Sequence, residues 1–264
     1  MSEPGALLAI ARRKMIAEIL ERDGVVRNAT LKQMLHVSTV TIRADLRALA
    51  EQGICDLIWG GAVYHEPTAE PETSLPNPRT TEVANREAKQ RIGARAAQLV
   101  QNGQTILVDS GSTTVELLRH LPPDLGYLRI VTQALNVAAA AADFPQVELV
   151  MTGGVLRTTT YSLIGPQAIH SLEMFNADWA FISCGAFTLE QGITASNILD
   201  AELKKTMLAR AEQVVLLADH SKFGNARALT VAPLTEINVL ITDSGLSDEY
   251  AAQIASAGVE VIRV

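Results

Sequence analysis

Six consecutive residues, Asp109-Ser110-Gly111-Ser112-Thr113-Thr114, set a carboxylate, hydroxyls and a glycine between an apolar run and a helical one. Gly111 lets the backbone turn tightly, and the hydroxyls, with the amides of an opening helix, face where an anion would sit. Other apolar runs end in small polar stretches as well: Thr132-Gln133, Thr152-Gly153-Gly154, Ser183-Cys184-Gly185 and Asp219-His220-Ser221-Lys222. Lys222 and Arg157 are cations suited to a phosphate. Asp109 and Asp219 are suited to accept hydrogen bonds from sugar hydroxyls. Taken singly, a glycine-serine loop is a common connector and a lone lysine is a solvated charge. Their joint position at one edge of one sheet is what favours a ligand, because an open α/β sheet binds at the carboxyl ends of its strands.

A second constellation lies near the amino terminus. Ser38-Thr39-Val40-Thr41-Ile42-Arg43 caps and opens a helix, with Thr39, Thr41 and Arg43 on its first turns beside an expected buried pair, Val40 and Ile42. Hydroxyls and a guanidinium at the start of a helix suit DNA phosphates and base edges, and arginine to guanine is the commonest specific major-groove contact. Ser38, Thr39, Thr41, Arg43 and, a turn further on, Arg47 are the expected DNA-binding residues. The bland reading is a capped helix in a small bundle with Arg43 solvated; the short helix before it and the hairpin after it favour DNA.

The elements that must position these residues fall into two groups. Residues 7–20 are helical by spacing and stop at Gly24; a short β-prone piece (25–27), a brief helix (31–35), a helix at 39–52 ended by Gly53, and a hairpin across 54–64 complete a winged helix-turn-helix at 1–64. A stretch with Pro67, Pro71, Pro76 and Pro78 makes residues 65–81 a semi-rigid linker. From 82 to 264 the pattern alternates. Strands at 105–109, 128–132, 147–152, 179–183, 214–218, 239–242 and 259–264 are near-continuously apolar. Helices at 85–101, 115–121, 136–142, 167–174, 199–211 and 248–257 lie between them. This predicts an α/β unit, Rossmann-like, with a mostly parallel sheet buried on both faces.

Composition agrees with two folded domains in 264 residues: 48% hydrophobic, 19% charged, mean hydropathy +0.16. No apolar run reaches the ~18–20 residues of a membrane span, the amino-terminal segment does not read as a secretory signal, and Cys55 and Cys184 lie far apart. A cytoplasmic protein is expected. The net charge of −7 excludes a generic nucleic-acid coat, but residues 1–66 hold eight basic and eight acidic residues, so the whole deficit lies in the remainder. His36, His65, His120, His170 and His220 show no metal-ligand spacing, so neither metal nor cofactor is expected.

The amino-terminal motif resembles the DeoR-type bacterial transcriptional regulators, whose signature V-S-x-x-T-I-R-R-D-L is followed by a glycine-ended helix and a wing closing in G-G-A. Here Val37 to Leu46 matches it, then Gly53 and Gly60-Gly61-Ala62. Ala44 stands where the second arginine is usual, and Leu57 and Trp59 stand where the wing usually carries arginine and histidine; fewer cations imply weaker, less salt-dependent operator binding. The resemblance continues through the D-S-G-T-T-T-like loop at 109–114, Thr132-Gln133 (with Gln133 for the customary asparagine), Gly153-Gly154-Val155-Leu156-Arg157, Cys184-Gly185 and Asp219-His220-Ser221-Lys222. It implies a sensor domain related to ribose-5-phosphate isomerase, glucosamine-6-phosphate deaminase and CoA-transferase, responding to phosphorylated sugars. Asp219 to Gly224 looks most like the glycerol-3-phosphate repressor branch.

The expectation is therefore a DNA-binding regulator, a repressor of a carbohydrate or polyol catabolic operon, governed by a phosphorylated sugar or polyol. Its effector residues would be Asp109, Ser110, Gly111, Ser112, Thr113, Thr114, Thr132, Gly153, Gly154, Arg157, Gly185, Asp219 and Lys222. One head reads too few base pairs, so the partners are a double-stranded operator and further copies of the chain, as homodimer or homotetramer. The alternative from another class is an isomerase-like enzyme in the same pocket, with Asp109 or Asp219 as base and Lys222 on the substrate oxygen. A third is a pure interaction protein.

Overall fold

The computed structural model describes residues 12–20, 24–51, 54–58, 60–64 and 85–264. The chain divides into two compact units, Met1–Ser74 and Leu75–Val264. The expected start of the first helix (7–11), Gly53 at the end of the helix expected at 39–52, the wing residue Trp59 and the linker at 65–81 lie outside the described residues, as does the side chain of Leu57.

In the first unit, helix α1 covers residues 12–20 and the chain turns at Gly24, at φ +70°, whose amide donates to the Leu20 carbonyl. Strand β1 (Val25–Arg27) runs directly into α2 (Asn28–Leu35), and His36 in the left-handed region turns the chain towards α3 (Thr39–Glu51). The hairpin of β2 (Cys55–Ile58) and β3 (Gly61–Tyr64) takes up β1 to give an antiparallel sheet in the order β1-β3-β2. A Cβ on Gly61 would stand 1.9 Å from the Val26 carbonyl oxygen, so only glycine lets these strands approach. Ile42, Leu46 and Leu49 of α3 pack with Ile16, Leu20 and Leu31. Val40, expected beside Ile42 in that core, is instead 77% exposed. Two helical positions span about 200°, which puts Val40 on the face opposite Ile42.

The second unit opens with α4 (Arg86–Ala97), β4 (Thr105–Val108), α5 (Ser112–Arg119), β5 (Leu128–Thr132), α6 (Leu135–Ala141) and β6 (Val147–Met151). A hairpin of β7 (Val155–Arg157) and β8 (Ser162–Ile164) leads to α7 (Pro166–Glu173) and β9 (Ala177–Ser183). Then come β10 (Ala186–Thr188), β11 (Gly192–Ala195), α8 (Ile198–Ala209), β12 (Ala211–Leu217), β13 (Leu229–Ala232), β14 (Val239–Thr242), α9 (Asp248–Ser256) and β15 (Glu260–Arg263). Seven strands make one parallel sheet in the order β15-β14-β12-β9-β4-β5-β6.

Alternate strand residues face opposite layers, as a period of two requires. Ile106, Val108, Phe181, Val215 and Leu217 pack with Ile92 of α4 and Leu117 and Leu118 of α5. Leu107, Ile182 and Leu216 pack with Leu172 of α7, Met207 of α8 and Ile254 of α9. Sequence reasoning left the β7–β8 hairpin and the small β10-β11-β13 sheet unassigned, because these short strands lack the continuous apolar run that marks strands of the main sheet such as β4 and β14. It also began α5 at Val115. The helix starts at Ser112, so the polar loop supplies its first turn.

Candidate functional site

Chain order creates a crevice in the second unit. From β4 the chain winds outward to β6, then returns to lay β9 against the other side of β4 and winds outward again to β15. The carboxyl ends of β4 and β9 therefore border the topological switch point where such sheets take ligands. Asp109 follows β4 and Ser183 ends β9. Gly111 passes so close that a Cβ there would stand 2.8 Å from Ser183 Oγ.

Asp109 is fully buried and its oxygens are engaged. Gln133 Nε2 donates to Oδ1 at 2.8 Å, the Ser183 amide and hydroxyl donate to Oδ2 at 3.0 and 2.9 Å, and Lys204 of α8 pairs with the same oxygen. The Lys204 ammonium also donates to the Ser183 carbonyl at 3.2 Å. Burial by itself would lower this ammonium, but the charges of Asp109 and Asp200 outweigh it and hold the group above 10.5. Asp200, half-buried in the first turn of α8, is pushed up chiefly by burial, while Lys204 and Arg157 pull it the other way. Burial also pushes the Cys184 thiol up to about 12, against the fields of Lys204 and Lys222, so it is no nucleophile at neutral pH.

Sequence reasoning gave Lys204 no role. It is one of two adjacent lysines, and the available signal was its spacing: three residues after Ala201 and four before Leu208, both buried, it falls on the apolar stripe of α8.

Beyond β12, Asp219 is 1% exposed. Its Oδ1 accepts from Asn85 Nδ2 at 2.8 Å, from the Ser221 amide at 3.1 Å and from the Ser221 hydroxyl, which fixes the turn at His220–Lys222. Asp243 anchors the same turn, accepting from the His220 amide at 2.7 Å and lying 2.7 Å from its Nδ1. Burial would raise the Asp243 carboxyl, but the His220 and Gly245 donors win and hold it below its usual value. Lys222 projects half-exposed from this turn, with no ion-pair partner among the described residues. Among those residues the buried side-chain atoms with no hydrogen-bond partner are Asn28 Oδ1, Gln133 Oε1, Asp219 Oδ2 and Thr242 Oγ1. The last three lie at the carboxyl ends of β5, β12 and β14, and an unsatisfied buried group costs roughly 1–3 kcal/mol.

The other expected effector residues divide by accessibility. Thr114 Oγ1 donates to the carbonyls of Asp109 and Gly111, and Thr132 Oγ1 donates to Val108 and accepts from the Ala134 amide; both hydroxyls are spent inside the protein. Ser110 and Thr113 are buried. Gly111, Ser112, Gly153, Gly154 and Arg157 are half-exposed, and Gly185 is exposed. Gly154, at φ +116°, lies so near the Ile164 carbonyl that a Cβ would stand 2.7 Å from its oxygen, so the β7–β8 hairpin folds tightly here.

In the first unit, Ser38 Oγ accepts from the Thr41 amide at 3.1 Å and lies 2.8 Å from the Thr41 hydroxyl, which caps α3. Thr39 and Thr41 are half-exposed; Arg43 and Arg47 are exposed, as is Ala44. Asp45 was missed by sequence reasoning. It is buried in α3 and paired with Arg12 and Arg13 of α1, which locks the two helices together. Cys55 is also buried. Among the described residues no group of three or more His, Cys, Asp or Glu is placed to hold a metal ion, and no helix is long and apolar enough to cross a membrane.

A helical head with an exposed, capped helix, joined in one chain to an α/β unit with polar groups at its switch point, is the design of a ligand-responsive DNA-binding protein. The DeoR-like helix-turn-helix domain matches residues 12–68, and the DeoR C terminal sensor domain matches residues 84–244. The chain belongs to the DeoR family of transcriptional regulators. It is 35% identical to the HTH-type transcriptional regulator GlpR of Haloferax volcanii, over 97% of this chain and 98% of that one. It is 34% identical to a putative aga operon transcriptional repressor of Escherichia coli O157:H7 (96% and 93%) and 32% identical to the regulator GolR of Listeria innocua (95% and 96%). These relatives are named as regulators, not as enzymes. The ribose 5-phosphate isomerase A of Methanocaldococcus jannaschii is 18% identical at a TM-score of 0.40, covering 53% of this chain and 55% of that one, a likeness too distant to bear on activity.

Proposed function

We propose that this protein represses a carbohydrate or polyol catabolic operon and that a phosphorylated sugar or polyol modulates its hold on the operator. The observation that carries the effector half is that, among the described residues, buried polar atoms at the carboxyl ends of three strands of one sheet have no partner, Gln133 Oε1, Asp219 Oδ2 and Thr242 Oγ1, and that the turn held by Asp219 carries the cation Lys222. Hydroxyl donors satisfy such acceptors, and a phosphate satisfies the cation. Ser112, Gly111, Gly153, Gly154, Gly185 and Arg157 line the accessible approach, while Asp109, Thr114 and Thr132 hold the frame and Ser110 and Thr113 back it. Calorimetric titration of the intact protein with glycerol 3-phosphate, ribose 5-phosphate and fructose 1-phosphate tests this. One should bind the wild type and bind Lys222→Ala at least about tenfold more weakly, the loss of one charge-assisted contact. Binding of none, or equal binding by the variant, would contradict it.

The operator half rests on α3. Thr39, Thr41, Arg43 and Arg47 are open to solvent on the helix that Ser38 caps. The exposed Val40 adds an apolar group of the kind that meets a thymine methyl. The functional division is a DNA-binding head at 1–64, a linker at 65–81 and a sensor at 82–264. Paired heads on paired half-sites make the active form a homodimer or homotetramer, acting in the cytoplasm.

A further inference from the structure

Asn85 lies in the second unit, four residues beyond the expected linker at 65–81 in sequence. Its backbone is left-handed, φ 52° and ψ 36°, at the N-cap of α4. An asparagine there ordinarily accepts from an amide of the first turn. This side chain makes no cap bond; Nδ2 donates instead to Asp219 Oδ1, 2.8 Å away and 134 residues further along the chain. The Asp219 carboxylate thus has two different ends. Oδ1 holds Asn85 and the turn that carries Lys222, and Oδ2 is buried with no partner among the described residues.

We infer that the Asn85–Asp219 hydrogen bond is the link by which occupancy of the strand-end site changes operator affinity. The inference rests on the effector reading above. A hydroxyl donated to Oδ2 and a phosphate drawn to Lys222 both act on the one carboxylate and turn that hold Asn85. The start of α4, close in sequence to the expected linker at 65–81, then differs between ligand-free and ligand-bound protein. A ligand shifts operator affinity only through such a difference between two states.

The test uses the full-length protein, DNA from upstream of its own gene and the three phosphates named above. Asn85→Gly removes the donor while suiting the positive φ. Asn85→Asp also tolerates that backbone but turns a second carboxylate on Asp219. The readout is the ratio of operator Kd with saturating phosphate to that without. A weakened site shifts the phosphate concentration needed, but leaves this limiting ratio alone. The wild-type ratio is expected to be about tenfold or more and that of both variants under about twofold. Operator DNA should change phosphate affinity by the same factor in the wild type and not in the variants, as linkage requires. Wild-type ratios in both variants would overturn the link while leaving the effector reading intact. A wild type that binds none of the phosphates in calorimetry would remove the effector reading and the link with it.

Discussion

Lys204 is a charged side chain at an apolar position, 4% exposed and paired with the fully buried Asp109. Lys204→Met keeps the bulk and strands the carboxylate, which should cost about 3–5 kcal/mol in urea unfolding. The pH dependence has a definite sign. The folded-state pKa lies above 10.5, so the contribution of the pair is complete below the unfolded value and is lost as pH rises through the higher folded one. The gap in urea midpoint between wild type and variant should stay level from about pH 7 to about pH 10 and narrow above that. A gap that stays level as pH rises well above about pH 10 would contradict the pairing. At this scale the sequence was only partly legible. Polar residues that end strands, such as Asp219 and Lys222, announce themselves by following apolar runs. Lys204 and Asp45 are charges turned inward, and which of several helix charges turns inward depends on partners distant in sequence. Gln133 stands where the resemblance expects an asparagine; its amide nitrogen is committed to Asp109, and its oxygen has no partner among the described residues.

Among elements, α4 and α5 meet at Gly93, where a Cβ would stand 2.4 Å from Glu116 Cβ and 2.5 Å from the Glu116 backbone carbon. Gly93→Ala should therefore destabilise the protein by about 1–3 kcal/mol through overpacking, despite alanine's better helix propensity. A variant as stable as wild type would mean the helices separate freely. In the head, α3 offers Arg43 to solvent while Asp45 ties the same helix to α1. Arg43→Ala should weaken operator binding by about 1–3 kcal/mol with circular dichroism unchanged. Wild-type retention would remove α3 as the recognition helix. The long strands and helices were legible because an apolar period of two or 3.6 repeats enough times to read. Val40 was misplaced because it was grouped with its neighbour in sequence rather than by rotation around the helix. The β7–β8 hairpin, which carries Arg157, escaped because its pairing depends on a turn and on closeness at Gly154 rather than on any period.

The whole molecule joins two kinds of recognition in one chain. The head balances its charge within itself, so affinity for DNA must come from where its cations point rather than from their number. The sensor carries the net negative charge yet, among the described residues, keeps a lysine with no ion-pair partner and unpartnered polar atoms at the carboxyl ends of its strands. The central claim is that these two halves act on each other. It is tested most directly by an electrophoretic mobility shift at low salt, using DNA from upstream of the protein's own gene, with and without the sugar and polyol phosphates. A retarded complex that one phosphate selectively releases or tightens is the expected result. A complex that forms but ignores every phosphate, or no complex even at low salt where electrostatic binding is strongest, would contradict it.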